Sequence, residues 1–340
     1  MKLSTLLASA ALALGLGGAA HAQDPIVLKF SADSPSTGNV CSGGYMDAWA
    51  RKIDADSGGK LKIELVCDGL LGKVGDNVNR VAAGVADIGW DLPLAYGKRF
   101  APLGVIGVPG LYADAEVAGG ALWKLHEAGK SGVKIEDIKL LWFQGVPNTA
   151  YYLKQKPTSH TDLTGLKIAM GSKMRATMIN AMGGVPIQLG PPEYYQAIQK
   201  GAADGAQSTV GAIGAYKLQE LLHYYVYGPF GGGFTFIVMN KNSYDKLPDD
   251  LKKVIDANSG YEASRWASAF LRDWEDKFLK EKMLSVAGNE RVDLTEAEIA
   301  AWQKAFQAAE NDWVGSVENG AQILADFKAA LAVEPAGASN

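Results

Sequence analysis

Short alternating apolar runs and longer apolar stripes succeed one another along the chain. Ile26–Ser31 (IVLKFS) reads as a strand. Residues 43–56 read as a helix, with Tyr45, Trp49 and Ile53 on one stripe, and Ser57-Gly58-Gly59 stops it. Residues 61–67 form a second strand, in which Leu61, Ile63 and Leu65 alternate with Lys62 and Glu64. A helix over 76–83 and a short buried strand over 87–90 follow. The same alternation continues with strands at 140–143, Ala150–Leu153 and 166–170, and helices at 173–182 and 192–200. It predicts α/β architecture, open sheets with helices on their faces.

The second half changes character. Residues 234–239 (FTFIVM) read as a long apolar strand after Gly231-Gly232-Gly233. Those glycines precede a strand and no Lys-Ser/Thr follows, so they read as a turn or hinge rather than a phosphate cradle. From 249 to 283 there is no proline and a single glycine, Gly260, while Trp266, Phe270, Leu271, Trp274 and Phe278 form an apolar stripe. One continuous helix of that length would reach about 50 Å, enough to lie across two lobes. Helix continues over 295–331, opened by the capping-box pattern Thr295-Glu296-Ala297-Glu298, and the tail 333–340 reads as frayed.

The N-terminus carries an address. Lys2, the apolar run 6–16 and Ala20-His21-Ala22 make a secretory signal peptide, with cleavage expected after Ala22. The run is shorter than the roughly 20 residues needed to span a bilayer, and no later segment is long enough, so an exported, soluble mature protein is expected. Composition is that of a folded chain, 48% hydrophobic and 21% charged over 340 residues. A formal charge of −4 argues against a nucleic-acid binder. In an oxidising compartment Cys41 and Cys67 either pair, for about 3–4 kcal/mol of stabilisation, or remain as buried thiols. His126, His160 and His223 are isolated in sequence and no G-x-S-x-G string exists, which disfavours a secreted hydrolase.

Several segments resemble, in order, the solute-binding subunit of tripartite ATP-independent periplasmic (TRAP) transporters of the dicarboxylate- and sialic-acid-receptor type. They are DLTGLKI at 162–168, PPEYYQAIQKGAADG at 191–205, YKLQ at 216–219 and MNKNSYDKLPDDLKKVI at 239–255. The resemblance covers nearly the whole mature chain. It implies a two-lobed periplasmic binding protein with mixed sheets, hinge strands and a lobe-spanning helix. Lobe I would comprise 23–145 plus roughly 232–262, lobe II 146–231 plus roughly 263–332, with the 249–283 helix shared. It implies a monomeric receptor that captures a small organic solute, performs no chemistry on it, needs no cofactor and delivers it to one small and one large membrane subunit.

The departures bear on the ligand. Where the family carries a carboxylate-pairing arginine in its LKIRVP strand, this chain has Ala169, and Ser208 stands where the family has an assisting asparagine. Lys154, Lys173 and Arg175 are nearby substitutes. The positions expected to line the cleft are Asp33, Trp90, Asp91, Met170, Ser172, Arg175, Tyr195, Gln207, Ser208, Tyr216 and Phe234, with Tyr194 adding aromatic area. For Trp90 and Asp91 a core tryptophan and a turn-capping carboxylate are equally compatible. Carboxylates beside aromatic faces point to a neutral, polyhydroxylated, aromatic or cationic solute. The alternatives are an organic acid held by a different basic residue, a cation-assisted site using Asp33, Asp91 and Gln207, and a receptor feeding a sensor kinase.

Overall fold

The computed structural model describes residues 24–36, 41–131 and 136–337. The signal-peptide expectation for 1–22 lies outside the described residues. Among the described residues there are eleven strands: β1 Ile26–Ser31, β2 Leu61–Val66, β3 Ile88–Asp91, β4 Ile138–Val146, β5 Ala150–Leu153, β6 Lys167–Met170, β7 Val185–Gln188, β8 Gly205–Ser208, β9 Tyr224–Tyr227, β10 Gly233–Asn240 and β11 Glu290–Asp293. They form two sheets, ordered β2-β1-β3-β10-β4 and β11-β9-β5-β8-β6-β7. Each is mixed. In the first, β1 runs parallel to β2 and β3, and β10 enters antiparallel between β3 and β4. In the second, β6 is parallel to β7 and β8, β5 is antiparallel to β8 and β9, and β11 is parallel to β9.

The chain therefore crosses between lobes from β4 to β5 and from β9 back to β10. The two crossings lie side by side. The Thr149 N–H and hydroxyl both donate to the Gly231 carbonyl (3.0 and 2.9 Å), and the Tyr112 hydroxyl donates to the Val146 carbonyl at 2.9 Å. Gly232 is required there, because a Cβ would overlap the Tyr112 hydroxyl and the Val146 carbonyl.

The expected single helix over 249–283 is broken. Asp249–Ala257 ends at Asn258, and a new helix starts at Gly260, whose φ is 81°. The break is built in: Asn258 donates to Asp56 and to the Val254 carbonyl, each at 2.9 Å, and its own carbonyl accepts the Trp49 indole N–H at 2.8 Å. The second piece, Gly260–Phe278, extended by a π-turn over Leu279–Met283, reaches both lobes. Its small residues Ala263, Ser264, Ala267 and Ser268 are buried and lie along β4, the edge strand of the first sheet. Ser264 Oγ accepts the Phe143 N–H (3.1 Å), Ser268 Oγ accepts the Gly145 N–H (2.7 Å), and Gln144 Nε2 donates to the Ala267 carbonyl (3.0 Å). An edge strand's unpaired donors are thus satisfied by a helix. The far end packs Leu279 and Met283 into the core of the second lobe with Leu222 and Tyr225.

Two further expectations change. The helix Gly320–Ala332, assigned by sequence to the second lobe, buries Ile323, Leu324 and Phe327 with Leu122 and Leu125 of the helix Ala115–Glu127, in a first-lobe core. The start of the tail is not frayed. The Glu334 side chain is fully buried and pairs with Arg265 (2.8 Å) and Lys124 (2.7 Å). Arg265 also pairs with Glu116 at 2.5 Å, tying the spanning helix to Ala115–Glu127 and to the tail. Cys41 and Cys67 form a disulfide, Cα–Cα 6.1 Å, that joins the end of β2 to the approach to the helix Tyr45–Asp56.

Removing one member of a buried ion pair strands its partner. Glu334→Ala should therefore lower the unfolding free energy by about 3 kcal/mol in urea titration, and an unchanged midpoint would refute the clamp. Replacing both cysteines with serine should cost about 3 kcal/mol through the loop that is released, measured the same way.

Candidate functional site

A cavity of about 660 Å³ lies between the two sheets, where the carboxyl ends of strands face the crossings. The first lobe lines it with Trp90, Phe100, Ile106 and Phe234, and the second with Ser172, Met174, Arg175, Ser208 and Tyr216. The spanning helix contributes Leu271, Trp274, Glu275 and Phe278. The wall is mostly hydrocarbon and aromatic faces. Its charged groups therefore decide what it can hold.

Arg175 is placed by the strand-to-helix turn after β6. Ser172 is the N-cap of Lys173–Ala181 and accepts the Arg175 N–H at 3.4 Å. The guanidinium then reaches across the crossing, where Nη2 donates to the Gly232 carbonyl at 3.3 Å. Its electrostatic neighbours are the phenols Tyr194, Tyr151 and Tyr112, and among the described residues no carboxylate pairs with it. Burial lowers the Arg175 pKa from its ordinary value, yet a guanidinium stays charged. The buried Tyr151 hydroxyl beside it has no hydrogen-bond partner.

The other two candidate cations are occupied. Lys173 lines the cavity but pairs with Asp312 at 2.6 Å, and Lys154 donates to the Ile198 carbonyl at 3.3 Å. Ala169 is buried in β6 among Tyr152, Tyr194 and Ala206 and does not reach the cavity.

Of the residues expected to line the cleft, Asp33, Trp90, Ser172, Arg175, Ser208, Tyr216 and Phe234 come together around the cavity. Four do not. Asp91 is buried, and its carboxylate accepts N–H groups of Gly75 (2.8 Å), Asn77 (3.0 Å) and Leu92 (2.8 Å) and the Tyr96 hydroxyl. Burial pushes the Asp91 pKa up and these donors oppose it. It organises the 75–77 turn, because neighbouring residues of a strand face opposite ways and Trp90 takes the cavity side. Met170 is buried in the second-lobe core with Ile168 and Met178. Tyr195 donates to Glu220 at 3.0 Å on an outer helix. Gln207 is fully buried and donates to Thr149 Oγ1 at 3.1 Å. A cation shared by Asp33, Asp91 and Gln207 does not fit these placements, since Asp33 accepts the Val74 N–H at 2.9 Å and neither of the others lines the cavity.

His160, isolated in sequence, is held between Glu298 and Tyr224, each at 2.8 Å, but outside the cavity. Missing from the sequence reading is Glu275. It is buried, and Oε1 accepts the Gly211 N–H at 2.8 Å. The signal was present: a carboxylate on the apolar stripe, four residues after Leu271. Burial raises the Glu275 pKa to about 8, against the Gly211 and Thr209 hydrogen bonds that lower it.

Residues 34–314 match the family model described as bacterial extracellular solute-binding protein, family 7, and the chain belongs to that family. It is a TRAP-type periplasmic solute-binding protein. It is 26% identical over 345 residues to the C4-dicarboxylate-binding periplasmic protein DctP of Rhodobacter capsulatus, covering 97% of this chain and 98% of that one. It also resembles a marine metagenome TRAP solute-binding protein specific for aromatic acid ligands, solved with 3-hydroxybenzoate (TM-score 0.84, 26% identity, 92% of this chain and 100% of that one). A TRAP protein from Rhodoferax ferrireducens, solved with benzoate, shares the fold (TM-score 0.80, 24% identity, 90% and 98% covered). No helix of the described residues is long and apolar enough to cross a membrane.

A carboxyl whose folded-state pKa is raised favours the folded state while protonated. Its contribution is complete below the unfolded pKa and declines as pH rises through the folded value near 8. Glu275→Gln should therefore flatten the fall in urea midpoint between pH 5 and 9, by up to a few kcal/mol at the alkaline end. Parallel wild-type and variant curves would show that Glu275 is not buried as described.

Proposed function

We propose that this protein is the TRAP receptor for an aromatic monocarboxylate, held by Arg175. The observation that carries the reading is a single guanidinium, free of any acidic partner among the described residues, in a cavity walled by aromatic and aliphatic side chains. Of the sequence-based alternatives this favours the organic acid bound by a different basic residue. The cation stands at 175 on a helix, where the resemblance implies one at 169 on a strand. A neutral or cationic guest would leave the guanidinium desolvated and unanswered, which is costly. A dicarboxylate asks for two cations, and the cavity's other buried ionic group is an acid, Glu275. The relative solved with 3-hydroxybenzoate supports the aromatic class.

Capture follows from charge. Without a solute, Arg175 has the Gly232 carbonyl and water; with one, a planar fork can take both oxygens of a carboxylate. Ring stacking on Trp90, Phe234 or Tyr216 would then draw the lobes together. Closure driven by differential affinity of about 5 kcal/mol is within reach of a charged pair plus an aromatic contact. The closed monomer would deliver its cargo to the TRAP membrane subunits. Export to the periplasm, with cleavage after Ala22, supplies the compartment in which the Cys41–Cys67 disulfide persists.

Titration calorimetry should detect benzoate and 3-hydroxybenzoate but not succinate, malate or a polyol. Arg175→Ala should weaken the aromatic acids at least about 100-fold, and Arg175→Lys about 10-fold, by loss of the bidentate fork. Tighter binding of succinate than of benzoate, or an unaffected Arg175→Ala variant, would overturn the reading.

A further inference from the structure

Glu275 is a buried acid in the cavity wall that carboxylate capture by Arg175 does not use. The two groups occupy separate stations. Arg175 is surrounded by Tyr112, Tyr151 and Tyr194, and Glu275 by Thr209, Gly211 and Asp276, with the phenols of Tyr152 and Tyr227 behind it. Trp274 and Phe278, on the same helix, stack with centroids 4.9 Å apart at 22° and also line the cavity, so an aromatic platform adjoins the acid. One Glu275 oxygen accepts the Gly211 N–H at 2.8 Å, and the Thr209 side chain also hydrogen-bonds the carboxyl.

Resting on the aromatic-acid reading above, we propose that Glu275 determines specificity at the far end of the ligand. Its carboxyl hydrogen-bonds a ring hydroxyl and, once ionised, excludes a second carboxylate. A buried carboxyl either donates to a phenol oxygen when protonated or accepts its proton when ionised; a carboxylate group in the same place meets like charge. A hydroxybenzoate satisfies both stations, benzoate leaves Glu275 unanswered, and a benzene dicarboxylate clashes electrostatically with the ionised form. The relative solved with 3-hydroxybenzoate holds a ligand of that pattern.

The charged groups facing Glu275 set the direction of its pH response. Asp276 on the same helix opposes ionisation, Arg291 from β11 lies beyond Tyr227, and Asp33 and the Lys173–Asp312 pair stand on other walls. With a pKa near 8, Glu275 gains its charge between pH 6 and 9, and that charge repels the ligand's carboxylate.

The experiment compares benzoate, 3-hydroxybenzoate and benzene-1,3-dicarboxylate by calorimetry at pH 6 and pH 9, on wild type, Glu275→Gln and Glu275→Leu, with circular dichroism to verify folding. Wild type should prefer 3-hydroxybenzoate over benzoate about 10-fold, and Glu275→Leu should lose that preference. Benzoate affinity should fall several-fold from pH 6 to pH 9 in wild type but stay level in Glu275→Gln, which at pH 9 also admits the dicarboxylate that wild type then excludes. Should Glu275→Leu not fold, the pH profile and dicarboxylate binding of Glu275→Gln still decide. Aromatic acids that bind with the same preference and pH profile in all folded variants would overturn this proposal alone. Failure of every aromatic acid to bind wild type would overturn it together with the reading on which it rests.

Discussion

The seam between β4 and the helix Gly260–Phe278 is the contact on which the rest of the molecule depends. β4 is an edge strand, and its outward N–H groups would be unsatisfied beneath a packed helix. Ser264 and Ser268 accept two of them, and alanines at 263 and 267 let the helix come close enough to do so. A larger side chain at any of these positions would lift the helix off the strand. That seating aims the far end of the helix into the second lobe, where Leu279 and Met283 enter its core. The same rod delivers Trp274, Glu275 and Phe278 to the cavity. Lobe association and binding-site composition are consequently set by one helix.

The cavity's selectivity arises from which charges are cancelled and which are not. Lys173 and Asp312 cancel each other, and Asp33 is held by the Val74 N–H and by Lys73 at 3.4 Å. Tyr216, across the cleft, has its phenol pKa raised by burial and by the Asp33 charge, so it remains a neutral donor. Arg175 keeps, in the buried part of the cavity wall, a formal charge that phenols and a carbonyl solvate but do not neutralise, while Lys217 at the rim is exposed to solvent. In a wall of low polarity that imbalance is worth far more than on a surface. On the proposed reading it sets the sign of the guest before shape is considered.

The local elements were readable because their cause is local. β1 and β5 lie where apolar alternation put them, and the Thr295 capping box forms with Glu298 as the spacing implied. The break at Asn258 was missed behind the long apolar stripe. Asn258-Ser259-Gly260 weakens the helix locally, and the tertiary partners Asp56 and Trp49 fix the break there. The 320–332 helix misled for a related reason: an apolar stripe says that a face is buried, not against which lobe. At the cleft, strand ends were placed well enough to bring seven expected residues to the cavity. Asp91 failed on the parity of its strand, Met170 because both faces of β6 are packed into cores, and Gln207 on the hydrogen bond that draws it to Thr149.

From its residues alone this chain declares its class, α/β architecture and ordered segments that resemble a TRAP receptor, whereas the pairing of Cys41 with Cys67 was one of two open readings until the fold joined them. The setting of Arg175 away from any acid among the described residues, and the placing of Glu275 in the cavity wall, belong to the folded molecule. A side chain's charge is visible in sequence, but whether that charge is answered depends on partners brought from elsewhere in the chain. For Arg175 those are Gly232 and three tyrosines, and none of them is an acid.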